Sequence, residues 1–159
     1  MRQGLAAAAM AVVMAVALPA SAMACAKPSG AASLESGMIA WVNQERQARG
    51  LNALKPSSQL KAAAQQHACD MAERKFFAHQ RAGGPSPGDR AKQNGYRFRR
   101  VAENIAYSSK PTVGSAAELW RNSSGHWANI LKTGVNDIGV ALSVDDGRIY
   151  WVMKVGAKR

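Results

Sequence analysis

The stretch WRNSSGHWANIL, residues 120–131, decides how the chain is expected to fold. Small and apolar residues recur at helical spacing from 113 to 120, which predicts a helix ending just after Trp120. The Ser-Ser-Gly sequence at 123–125 breaks that helix and can cap a second, shorter one. His126 then falls in the first turn of the second helix, where the helix dipole disfavours the imidazolium form. A neutral imidazole there can accept a proton or bind a metal, although a packing role is the simpler interpretation.

Two helices are predicted upstream of this stretch. Ser33 can cap the first, which runs to about Arg49, and Ser57 or Ser58 can cap the second, which runs to about Lys75. His67 lies on the apolar stripe of the second helix, which favours a buried core histidine, although a place in the wall of a cleft is also open.

A loop rich in Gly and Pro, residues 80–88, follows the second helix, and Asp89 is expected to cap a short helix that ends at Gly95. His79 stands at the junction between helix and loop. Because binding and catalytic residues concentrate in loops, His79 is a candidate site residue. An ordinary surface histidine is the alternative.

The segment 97–107 alternates like a strand and places Glu103 on the face that is expected to be buried. A buried carboxylate needs a partner. That partner is either one of the many arginines, in a purely structural ion pair, or a histidine or metal ion at a site. Asn104 points to the other face, where it is expected to secure a loop.

Two further strands are predicted near the end of the sequence. Apolar residues alternate over 138–144 and again over 149–155, and Asp145-Asp146-Gly147 between them is a strong hairpin signal. With the helices upstream, this pattern predicts one domain of mixed α and β structure.

Residues 1–24 read as a secretory signal peptide, with a basic start, a short apolar run and small residues before Cys25. We therefore expect a flexible N-terminal lead over residues 25–33 and a folded domain over residues 34–159. The protein is expected to be secreted or periplasmic.

The sequence contains two cysteines, Cys25 and Cys69. Export would allow a disulfide between them. Closing that loop would stabilise the folded state by about 4 kcal/mol in the chain-entropy model. Two alternatives remain at this stage: a lipid anchor on Cys25, or two unpaired thiols.

The chain is strongly basic, with 21 Lys and Arg against 10 Asp and Glu and a formal net charge of +11. Such a surface attracts anions, and in an exported protein anionic envelope components are the expected kind. Arg97, Arg99 and Arg100 form a tight basic group, but no motif for binding nucleic acid is present.

Several segments, taken together and in order, resemble the CAP superfamily, also called the SCP domain, in its bacterial single-domain branch. The resemblance covers residues 34–156 and implies an α+β fold, a three-layer α-β-α sandwich with a central antiparallel sheet. The segments that carry it are HACDMA (67–72), FFAH (76–79), AENIA (102–106), SGHWANIL (124–131) and IGVA (138–141).

The resemblance also implies a cleft with two histidines and two glutamates, which in some members binds zinc or another divalent ion. By matching the segments, the histidines are His79 and His126, and the first glutamate is Glu103. The position of the second glutamate is taken by Ser123. A metal held by the remaining three residues is therefore expected to bind weakly.

These expectations lead to an exported, monomeric binding module whose cleft holds a lipid-like, glycan or peptide-like ligand. One alternative is a hydrolase in which His79 or His126 is the general base, Glu103 orients it, and Ser123 or Ser124 is the nucleophile. Another alternative is a structural envelope protein whose histidine cluster only supports the fold.

Overall fold

The computed structural model describes residues 25–159, so the expected signal peptide lies outside the described residues. This part of the chain forms five helices and four strands. The helices are α1 (Ala31–Gln47), α2 (Ser58–Arg74), α3 (Pro87–Gln93), α4 (Val113–Arg121) and α5 (Ser124–Ile130). The strands are β1 (Lys55–Pro56), β2 (Phe98–Ser108), β3 (Asp137–Asp145) and β4 (Arg148–Lys158).

The sheet has the strand order β1-β3-β4-β2, which leaves β2 at one edge. Strands β3, β4 and β2 pair antiparallel, as predicted. The hairpin between β3 and β4 turns at Asp146 and Gly147, whose φ values of 46° and 71° match the turn that the Asp-Asp-Gly sequence favours. The two-residue strand β1 is an addition to the expected antiparallel sheet, since it pairs parallel to β3.

Helices cover both faces of the sheet, which confirms the three-layer sandwich and the α+β class. On one face, Met38 of α1, Trp120 of α4 and Ile130 of α5 pack in one buried cluster with residues of β3 and β4. On the other face, Ala68 and Met71 of α2 pack in a second cluster. Because side chains alternate along a strand, consecutive residues of β2 serve different layers.

The segment expected as a flexible lead, residues 25–33, makes defined contacts with the sheet. Helix α1 already begins at Ala31, and the preceding residues are tied to β3, where Val144 donates its backbone N–H to Ala26 O at 2.9 Å. Ser143 Oγ also donates to Ala26 O at 2.9 Å. These bonds satisfy the backbone of the segment and fix it against the sheet.

The predicted disulfide between Cys25 and Cys69 is confirmed, and their Cα atoms lie 5.4 Å apart. The bridge attaches the start of the described chain to α2. It uses the Cys25 Sγ atom that a lipid anchor would need.

The helix boundaries near the candidate residues are set by local caps. Ser57 caps α2 as predicted, by accepting from Leu60 N. The expected cap of α3 is wrong by one turn: Ser86 Oγ accepts from Asp89 N at 3.1 Å, and the Asp89 carboxylate accepts from Ser86 N at 3.1 Å. This reciprocal capping box uses Asp89 inside the first turn, not before it.

The break between α4 and α5 at residues 122–123 is as predicted, and it leaves His126 in the first turn of α5.

Candidate functional site

Glu103 and Lys154 form a buried ion pair across the sheet. They lie directly opposite each other on the antiparallel strands β2 and β4, so their side chains share one face. Both are almost completely buried, and Lys154 Nζ donates to Glu103 Oε2. Lys154 Nζ also donates to Pro87 O at 3.2 Å, which ties the start of α3 to the sheet.

Arg90 of α3 adds a second buried cation to the same carboxylate. Its Nη2 atom lies 3.3 Å from each Glu103 carboxylate oxygen. The guanidinium also donates to His79 O and to Pro85 O, each at 2.6 Å. Arg90 therefore holds both ends of the Gly- and Pro-rich loop that follows α2, as well as the glutamate beneath it.

His79 leaves this loop toward Glu103. Its Nδ1 atom lies 3.0 Å from Glu103 Oε1, and its side chain remains about half exposed. Since a carboxylate can only accept, Nδ1 donates the proton of this hydrogen bond. The carboxylate therefore orients the imidazole and fixes its tautomer.

His67 completes the cluster from α2 and is fully buried, as predicted for a core histidine. Its Nε2 atom donates to Ala78 O at 3.0 Å and lies 3.7 Å from Glu103 Oε1. Burial lowers its pKa from the ordinary 6.5 to about 4 despite the nearby carboxylate. His67 is therefore neutral at physiological pH and positions the residue before His79.

The charge of Glu103 is stabilised by its surroundings. Burial by itself would raise the pKa of this carboxyl, but the hydrogen bond from His79 and the positive charge of Lys154 outweigh burial and lower the pKa to about 2. Burial also lowers the pKa of Lys154, and the Glu103 carboxylate opposes that change. Glu103 is thus a fully ionised internal counterion.

The other side of β2 positions His126. Asn104, which is fully buried, donates through Nδ2 to His126 O at 2.9 Å and accepts at Oδ1 from Asn129 Nδ2, also at 2.9 Å. These bonds attach α5 to the sheet. Asn104 lies on the face opposite Glu103, but it secures the helix that carries His126 and not the loop that was expected.

Side chains from α4 and α5 also cover part of the exposed edge of β2. Trp120 Nε1 donates to Ile105 O at 3.0 Å, and Asn129 Nδ2 lies 3.3 Å from Glu103 O. These two carbonyl groups would otherwise be free to pair with another strand. This part of the edge is thus satisfied by side chains of the same chain.

An apolar groove runs beside this edge, between the loop that carries His79 and the junction of α4 with α5. Its volume is about 400 Å³. The large hydrophobic side chains that are exposed in the described residues are Phe77, Tyr107 and Leu119, at 44%, 51% and 49% exposure, and all three line it. Phe77 and Tyr107 meet edge to face with ring centroids 4.9 Å apart. The remaining lining residues are Ile105, Ala106, Ser123 and His126.

His126 contributes its imidazole to the lining of the groove. Its Nδ1 atom is buried and has no hydrogen-bond partner among the described residues. Burial lowers its pKa, and an electrostatic effect of His79 lowers the pKa further. A neutral ring at this position can donate to or accept from the polar group of a ligand.

The residues expected to hold a metal differ in their availability. Both oxygens of Glu103 are already engaged by His79, Arg90 and Lys154. No group of three or more His, Cys, Asp and Glu side chains within residues 25–159 is arranged to hold a metal ion. A zinc site needs at least three protein ligands, so this set does not fit a resident zinc ion.

The residues expected for a hydrolase are not arranged as a relay in the described structure. Ser123 lines the groove beside His126, whereas Ser124 is exposed at the start of α5. No hydrogen bond joins either hydroxyl to His79 or His126 over residues 25–159, and Glu103 orients His79 instead of His126. The three functions of nucleophile, base and orienting group are therefore not linked.

Sequence reasoning missed Lys154 and the groove. The signal for Lys154 was present, since a lysine in the middle of an apolar strand requires a buried partner. The groove had no such signal, because Phe77, Tyr107 and Leu119 come from three separate elements and look like ordinary apolar residues. Arg90 was among the arginines considered for Glu103, but nothing in the sequence distinguished it.

Comparisons with known proteins agree with this architecture. The model of the family described as CAP, cysteine-rich secretory protein family, matches residues 39–155. No curated protein sequence matches significantly. Helices that are long and apolar enough to cross a membrane are absent from residues 25–159.

Solved structures with the same fold include three of interest. An extracellular SCP-domain protein from Bacillus anthracis is 24% identical with a TM-score of 0.71; the match covers 80% of this chain and 41% of that protein. An outer surface protein from Borrelia burgdorferi is 20% identical with a TM-score of 0.72, over 78% of this chain and 92% of that one. NaASP2, solved with Zn²⁺, is 13% identical with a TM-score of 0.55, over 84% and 85%. At identities this low, the similarity of these structures shows that the fold is shared and nothing more.

Proposed function

The chain belongs to the cysteine-rich secretory protein (CAP) family, and from this premise we propose that it is an exported binding module whose groove holds a lipid-like ligand. The observation that carries the proposal is the clustering of Phe77, Tyr107 and Leu119 in one groove. Exposed apolar side chains that are scattered singly need no explanation, but a group of them around a concave surface marks a binding site. A volume of about 400 Å³ is within the range of small-molecule sites.

The chemistry of the groove favours a lipid-like ligand over an extended peptide. A peptide that binds beside a sheet edge usually adds a strand through backbone hydrogen bonds. Here the carbonyl groups of Glu103 and Ile105 already accept from Asn129 and Trp120. A ligand in the groove must therefore bind mainly through apolar contact.

The same argument disfavours a glycan. Sugars expose many hydroxyl groups, and each one that is removed from water needs a hydrogen-bond partner. The groove offers few such partners, chiefly Ser123, His126 and the Tyr107 hydroxyl. A ligand with one polar group at the His126 end and an apolar body against Phe77 and Leu119 satisfies this set.

Export is supported by two observations. The disulfide between Cys25 and Cys69 is a bond that persists in oxidising compartments. Two of the structural neighbours are an extracellular protein and an outer surface protein. A hydrolase is not proposed, because no observation in the described structure links a serine to a base.

A titration with a fluorescent long-chain fatty acid tests the proposal. We expect saturable binding by the purified protein and about fivefold weaker binding by Leu119→Gln, since that change removes apolar contact area from the groove. His126→Ala should weaken binding by a smaller factor, because it removes only the polar contact.

Leu51→Gln is the matched control. Leu51 follows α1, is partly exposed and does not line the groove, so the same substitution there should leave binding unchanged. If wild type shows no saturable binding, or if Leu51→Gln and Leu119→Gln lose affinity equally, the groove is not the site of lipid binding.

A further inference from the structure

The opposite end of β2 carries a group of cations that the proposed function does not use. Lys92, Arg97, Phe98 and Arg159 line a depression of about 640 Å³. Phe98 begins β2 and pairs with Lys158 at the end of β4. The depression lies about 20 Å along β2 from the groove, because seven residues separate Phe98 from Ile105.

The backbone holds the two arginines of this surface next to each other. Arg159 Nε donates to Phe98 O at 3.0 Å, and Arg159 N donates to Arg97 O at 3.2 Å. Arg97 and Arg159 are exposed, so their guanidinium groups are reachable from solvent.

The two lysines of this surface lie over a pair of stacked aromatic rings. Lys92 Nζ is 5.9 Å from the centre of the Phe98 ring, and Lys158 Nζ is 5.7 Å from the centre of the Tyr96 ring. The two rings stack on each other with centroids 6.5 Å apart. Each ring therefore has both the other ring and a lysine ammonium group against it.

These four cations are not neutralised by the protein. No carboxylate of residues 25–159 lies within 4.0 Å of the charged nitrogens of Lys92, Arg97, Lys158 or Arg159. By contrast, the buried cations Arg90 and Lys154 both contact Glu103. The surface that these four cations form in and beside the depression, called the basic depression below, thus contains no direct ion pair within the described residues.

We propose that the basic depression binds a phosphate polymer that carries no bases. Four exposed cations on one surface can together neutralise successive charges of one flexible chain. The guanidinium groups of Arg97 and Arg159 match phosphate oxygens in pairs, and the lysines add point charges. Nucleic acid is disfavoured because Phe98 and Tyr96 have no open face on which a base could stack.

Binding of long-chain inorganic polyphosphate to the purified protein, measured over a range of salt concentrations, tests this proposal. The variant Lys92→Gln/Arg97→Gln/Arg159→Gln should bind about tenfold more weakly at low salt. The slope of log K against log salt should also become shallower by about 2, because fewer counterions are released.

The variant Lys75→Gln/Lys110→Gln/Arg148→Gln is the matched control, since it also removes three exposed positive charges, none of which lines the depression. It should lose less than about threefold in affinity. Equal losses by the two triple variants, or no binding of polyphosphate by wild type, would overturn the proposal. Tighter binding of oligothymidylate than of polyphosphate of equal charge would also overturn it. Melting temperatures of both variants near that of wild type show that folding is intact.

Discussion

The face of β2 that packs against α2 and α3 and the outer edge of the same strand offer very different environments. On the side of α2 and α3, Glu103 is surrounded by Arg90, Lys154 and His79, so that each carboxylate oxygen is satisfied. At the outer edge of the strand, the groove exposes apolar side chains and leaves His126 Nδ1 without a partner. The charged groups on the inner face are therefore occupied by one another and buried. The solvent-exposed surface beside them is apolar.

The largest expected effect is the loss of stability when a charge is removed from the buried cluster around Glu103. Lys154→Met removes one cation from the buried Glu103 carboxylate and should lower the free energy of unfolding by about 3–5 kcal/mol, as is typical when one partner of a buried pair is removed. Urea unfolding measures this change. The double variant Lys154→Met/Glu103→Leu should recover part of the loss, because no charge is then left without its partner. A loss of less than 1 kcal/mol in the single variant would mean that Glu103 and Lys154 are not paired and buried as described.

The cluster should also make stability depend on pH. His67 has a pKa of about 4 in the folded protein against an ordinary 6.5, so the unfolded state binds protons more readily between these values. The free energy of unfolding should therefore fall by about 3 kcal/mol as the pH is lowered through this interval. Below it, the lowered pKa of Glu103 continues the loss as that carboxyl is protonated.

Urea midpoints at a series of pH values check this dependence, with His67→Gln as the comparison. The variant should be less stable at neutral pH and show a flatter profile between pH 6.5 and 4, since it lacks the titrating ring. If wild type and His67→Gln show the same slope, burial of His67 does not control acid stability.

A substitution in the groove should weaken binding and leave stability nearly unchanged. Leu119→Gln changes an exposed side chain, so the free energy of unfolding should change by less than about 0.5 kcal/mol while binding of the fatty acid weakens. The same urea experiment measures this. A loss as large as that of Lys154→Met would show that Leu119 supports the core and would remove the contrast between the two regions.

The smallest effect is expected from removal of metal ions. Glu103 is already neutralised by Lys154 and Arg90, and the described residues include no three-ligand set. Treatment with a chelator should therefore leave the melting temperature unchanged within about 1 °C, and added zinc should not raise it. A rise of several degrees with zinc that is abolished in His79→Ala and His126→Ala would instead establish a metal site on the two imidazoles.

The sequence predicts the fold better than the site, and the reasons are physical. Periodicity and turn chemistry are local, so the helix containing His67, the strand containing Glu103 and the turn at Asp146 are predicted correctly. The contacts of the N-terminal segment are not predicted, because its anchors on β3, such as the bond from Val144 N–H to the Ala26 carbonyl, are distant in sequence. A run of Ala, Ser, Gly and Pro cannot reveal those contacts.

The site depends on contacts between segments, and only some of them have a signal in the sequence. A carboxylate on a buried face requires a partner, so the environment of Glu103 is partly predictable. Its actual partner on β4 depends on strand register, which pairs Glu103 with Lys154. The groove depends on how the loop after α2 meets the junction of α4 and α5, and that loop is held by Arg90 through the backbone.

The most direct test of the account is a two-dimensional NMR titration of the ¹⁵N-labelled protein with oleate. The account predicts that amide signals of Phe77, Tyr107, Leu119 and residues 123–126 shift together and saturate, while the signals of His67 and Lys154 stay in place. Shifts confined to the closed cluster, shifts centred on another surface such as that around Trp41, or no shifts at all would contradict the assignment of the groove as the binding site.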